Sequence, residues 1–70
     1  MADAMLPGRE VIFEFFPVGQ YMRVTAMDVA SLTEIAIQGP VGAGDDVLKR
    51  NALKRLEYVL KKKGIIEAGG

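Results

Sequence analysis

The chain has 70 residues and a net charge of zero, with no cysteine, no histidine and half of its residues apolar. That allows one domain with one small core, and it is too hydrophobic for a disordered chain and too interrupted by charge for a membrane span. The missing residue types exclude disulfides and thiolate metal sites and remove the commonest general bases and nucleophiles, while the zero conceals two halves: residues 1–46 carry two arginines against seven acids and residues 47–70 seven bases against two acids, −5 and +5.

Residues 1–9 lack periodicity and contain a Pro-Gly pair, which reads as a flexible leader. No basic segment runs into an apolar one there, so no signal peptide is expected, and a soluble cytoplasmic domain is the expectation. EVIFEFF, residues 10–16, is dense in β-branched and aromatic side chains and predicts a strand. PVGQ, residues 17–20, predicts a turn, with proline at its first corner. YMRVTAM, residues 21–27, predicts a second strand, DVASLT a looser connection, and EIAIQ, residues 34–38, a third strand. Connections this short join antiparallel neighbours in a meander.

Register follows from the pairing that leaves one face dry, because a slip of one residue exchanges the two faces. Pairing Phe16 with Tyr21 and Val24 with Ile37 gathers Val11, Phe13, Phe15, Met22, Val24, Ala26, Ile35 and Ile37 on one apolar face. It also sets Glu14 opposite Arg23 on the other face.

From Asp45 to Lys63 the period becomes helical. Leu48, Ala52, Leu53, Leu56, Val59 and Leu60 fall within an arc of about 140°, the stripe of a core-facing helix. Asp45 is expected to cap this helix, Asp46 to suit its dipole, and Gly64 to end it. The fold class is therefore α+β: a three-stranded antiparallel β-meander followed by one C-terminal α-helix packed on one sheet face, β-β-β-α in two layers. The expected domain spans residues 10–64, with a flexible tail over 65–70.

IQGPVGAGDD, residues 37–46, has the outline of a phosphate cradle, since glycines lead from a strand into a helix. Asp45 and Asp46 stand where a Walker loop needs lysine and a hydroxyl, and G-x-x-G-x-G is not the dinucleotide pattern. The loop reads as a connection. The adjacent aspartates alone make no divalent-cation site. We expect no cofactor, no metal, no small-molecule substrate and no enzymatic activity, since Glu10 and Glu14 on an open sheet surface have no pocket to shift them.

One helix covers one sheet face. The other displays Ile12, Phe16, Tyr21, Arg23 and Met27, a composition typical of interface centres, so the expected role is a small non-enzymatic module that self-associates or docks a protein partner there. The first and third strands are also open edges. On the helix, Val47 and Tyr58 form a lesser apolar pair. The alternative is a polyanion surface on its basic face, from Arg50, Lys54, Arg55, Lys61 and Lys62.

Two resemblances bear on this. The strands running into GPVGAGDDVLKRNALKRLEYVLKKKG are similar to the β-β-β-α half of double-stranded-RNA-binding domains, which implies RNA contacts from the helix. Asp45, Asp46 and Val47 replace that family's Ser-Lys-Lys run, and its preceding helix has no counterpart. EVIFEFFPVGQYMRVTAMD, TEIAIQGP and RLEYVLKKKG resemble an uncharacterised family of short alphaproteobacterial proteins, from Glu10 to about Lys63. That resemblance implies a self-contained small domain and supplies neither substrate nor catalytic residue.

Overall fold

The computed structural model describes Leu6 and residues 8–67. Three strands, β1 (Val11–Val18), β2 (Tyr21–Asp28) and β3 (Thr33–Pro40), form an antiparallel sheet in chain order, and a 3-10 turn at Val41–Ala43 leads into α1 (Asp45–Lys62). The helix lies over β3 and β2. Its buried side chains, Leu48, Ala52, Leu53, Leu56 and Leu60, are the apolar stripe read from the sequence, with Val59 half-buried beside them. They meet Val11, Val24 and Ala26, all buried, and Phe13, Phe15, Met22, Ile35 and Ile37, which pack partly buried around them. Every sheet residue assigned to the dry face lies on it.

The β2–β3 register pairs Val24 with Ile37 as expected. The first hairpin differs. Val18 pairs with Tyr21 and Phe16 with Arg23, so Phe16 does not face Tyr21, and Glu14 lies opposite Thr25 rather than Arg23. The register has moved by two residues, which preserves the faces and changes only the neighbours. Pro17 belongs to the strand, not to the turn. It sits on an edge strand, where a missing N–H costs no ladder bond if it points away from the sheet. Gly19 alone supplies the tight corner, with φ 61, the positive value that a two-residue type II′ hairpin needs at its first position.

The cap of α1 also differs. Asp45 is the first helical residue, and Gly44 precedes it as the cap without a side-chain hydrogen bond. Both aspartates remain in the first turn, where the helix dipole favours them. At the other end Gly64 takes φ 76, its N–H donates to Lys61 O (3.0 Å), and the Ile65 N–H donates to Leu60 O (2.9 Å). This is a Schellman ending, which satisfies two orphan carbonyls and returns Ile65 to the core.

Packing reaches past both boundaries drawn from the sequence. Leu6, placed in the leader, is a buried core residue, and Ile65 and Ile66, placed in the tail, pack against the core. Leader positions 1–5 and 7 and tail positions 68–70 lie outside the described residues.

Arg9 forms the other anchor. Asp28 ends β2 on the inner face with no exposure, and Arg9 donates to it from Nε at 3.0 Å and from Nη2 at 2.8 Å. The Ser31 amide donates to the same carboxylate at 3.1 Å, and the Ser31 hydroxyl donates to it as well. Thr33, also buried, lies 2.9 Å from that hydroxyl. The hydrogen bonds from Arg9 lower the Asp28 pKa to about 2 against the opposing effect of desolvation, with Ser31 adding to the fall. The same bonds raise Arg9 above its ordinary value.

Candidate functional site

Alternation along the strands sends every second side chain to the face away from α1. The two registers arrange that outer face in four rows: Ile12, Met27 and Glu34; Glu14, Thr25 and Ala36; Phe16, Arg23 and Gln38; Val18, Tyr21 and Pro40. All five residues expected at an interface lie in this grid. Ile12 is beside Met27, Phe16 is beside Arg23, and Tyr21 closes the last row. The second row is polar at its outer edge and shaded at its centre, where Thr25 is only 8% exposed.

Ile12, Phe16, Val18 and Tyr21 retain 45, 44, 52 and 51% exposure, while Met27 is half-buried. Val18 and Tyr21 are cross-strand partners with Phe16 on the diagonal from Tyr21, and the row of Glu14 and Thr25 separates them from Ile12 and Met27; apolar side chains this open and grouped differ from the scattered ones that any surface carries. Val18 was missed because the turn was placed two residues early; the β-branched residue beside an edge proline was its only signal. Leu32 was also missed. Among the described residues it is the most open large apolar side chain, 71% exposed, and it holds φ 59, a left-handed conformation that costs a leucine about 1–2 kcal/mol. No glycine or asparagine in DVASLT announced such a turn.

Charge divides the two outer surfaces. The sheet face bears Glu10, Glu14 and Glu34 against Arg23, and among the described residues Arg23 makes no ion pair. The helix surface is basic, but much of its charge is engaged within the helix. Lys61 pairs with Glu57 at 3.7 Å, and Arg55 and Lys62 approach the Tyr58 ring, 5.5 and 5.6 Å from its centroid. Lys62 also donates to the Tyr58 hydroxyl at 3.4 Å. Tyr58 thus seats cations, and Val47 stands exposed near the start of the helix. Arg50 and Lys54 are the exposed members of the expected polyanion set that enter none of these contacts.

The glycine loop has a packing explanation. A Cβ at Gly39 would lie 2.5 Å from Leu48 Cδ2, so the absent side chain is what lets the helix start settle on β3. Among the described residues, no helix is long and apolar enough to cross a membrane.

No curated protein and no solved structure matches the chain. A domain family of unknown function, DUF6898, matches residues 8–63, a span that includes the whole sheet, α1 and the Arg9–Asp28 pair. The resemblance to an uncharacterised family, read from residues 10–63, thus meets a family of that kind over nearly the same stretch. The chain belongs to DUF6898.

Proposed function

We propose that the protein is a small, non-enzymatic interaction module of the cytoplasm that self-associates or docks a protein partner through the outer sheet face. One observation carries this reading: Ile12, Phe16, Val18 and Tyr21, each more than two-fifths exposed, are gathered on the face opposite the helix. Aromatic and branched side chains around an arginine make the composition of an interface centre rather than of a solvated rim. A core this small also gains from the added burial. The acidic residues around the patch favour a partner surface with lysine or arginine at its rim.

The test is the double variant Phe16→Ala with Tyr21→Ala. Both side chains lie outside the core, so the melting temperature should hold while association is lost. Association is read by sedimentation across a dilution series and by capture of partners beside the unaltered protein. A chain that stays single at every concentration, with capture unchanged by the double variant, would falsify the reading.

A further inference from the structure

The two edges of the sheet are not equivalent. Val29 donates its N–H to Glu10 O at 3.0 Å, and backbone direction alternates along a strand. The even-numbered residues of β1 therefore face β2, and Val11, Phe13, Phe15 and Pro17 turn their backbone groups outward. On the opposite edge Val41 donates to Gln20 O at 3.1 Å. By the same alternation Glu34, Ala36, Gln38 and Pro40 are the outward residues of β3.

The β3 edge has a helix above it and carries Glu34, Gln38 and Pro40. Charge, proline and cover are the usual protections of a sheet edge. β1 is guarded less. The helix lies over the other two strands, and Phe13 and Phe15, on the inner face of β1, are left half-buried, Phe13 with the Lys49 ammonium 4.9 Å from its ring centroid. Its sequence VIFEFFPV is rich in strand-forming residues.

We infer that β1 is a pairing edge for β1 of a second copy, antiparallel about a two-fold axis at Phe13, joining two meanders into one six-stranded sheet with both helices on the same face. Outward groups sit on odd-numbered residues, so odd must meet odd, and only a few registers qualify. An axis at Glu14 sets two carboxylates face to face. An axis at Ile12 sets Glu10 against Glu14. An axis at Phe15 sets Pro17, which has no N–H, against Phe13. With the axis at Phe13, Glu10 faces Phe16, Glu14 faces Ile12, Val11 faces Phe15, and Pro17 falls at the end of the ladder. No like charges stand opposite one another, and four aromatic rings close the gap between the two helices. The surface is self-complementary, as a two-fold interface requires.

This pairing is separate from the outer-face reading and has its own signature. Amide exchange on the unaltered chain, at both ends of a dilution series followed by sedimentation, reads it directly. The sedimenting mass should double, and exchange at Val11, Phe13 and Phe15 should slow by about tenfold or more as it does, while Ala36 and Gln38 keep their rates. A mass that stays single would overturn the proposal. So would slow exchange at Phe13 that is independent of concentration, or slowing at Ala36 and Gln38 instead. A doubled mass with unchanged rates at Phe13 and Phe15 would also overturn it and would assign the contact to the outer face.

Discussion

A carboxylate removed from water needs compensation for its lost hydration, and Asp28 receives it from the two Arg9 bonds and the two from Ser31. Its value in the folded chain, about 2, lies below the ordinary 3.8, so folding favours the charged form. That contribution is whole above about pH 5, is lost as pH falls through 3.8 toward 2, and amounts to about 2 kcal/mol. Asp28→Asn should therefore lower stability at pH 7 by about that amount and narrow the gap to the unaltered protein at pH 2 to 3, as read by urea unfolding at each pH. Arg9→Met should act in the same pH sense, since a carboxylate left without its guanidinium is relieved by protonation. None of this was legible in the sequence. Arg9 and Asp28 are 19 residues apart, and periodicity says which face a residue takes, not which distant charge it meets.

Among the elements, the faces were legible and the neighbours were not. An alternating pattern fixes parity, and the expected and observed registers of the first hairpin share it, so the dry face was found while Phe16 was given the wrong partner. The turn was misplaced because proline usually marks a corner, whereas Pro17 occupies an edge strand that loses nothing by it. Helix α1 was legible almost to the residue, since its stripe and its closing glycine are strong local signals. The opening glycines were legible only as a connection, because the close approach of Leu48 to Gly39 is a tertiary fact. Gly39→Ala puts a methyl 2.5 Å from the end of a buried leucine. It should cost about 1–3 kcal/mol by thermal or denaturant unfolding, and Leu48→Ala in the same chain should recover part of the strain.

At the scale of the molecule, the charge halves read along the chain become two opposed surfaces, an acidic apolar sheet face and a basic helix. That separation was legible as composition; its consequence depends on which charges remain available. With Lys61 held by Glu57 and with Arg55 and Lys62 beside Tyr58, the helix offers duplex RNA chiefly Arg50 and Lys54. Titration with a duplex at low salt should give weak, sequence-independent shifts at most, vanishing by physiological ionic strength. Saturable shifts centred on Arg50, Lys54 and Lys61 that persist in salt would instead favour the polyanion reading over the outer face.

Leu6 and Arg9 also set how far the N-terminal side can be trimmed without loss. A truncation at Glu10 would preserve every strand and the helix, yet it would open a hole where Leu6 sits and strand Asp28 without its guanidinium. Trimming guided by secondary structure would thus yield a weakened, sticky fragment, and any affinity handle belongs upstream of Leu6 on a spacer that lets both anchors seat.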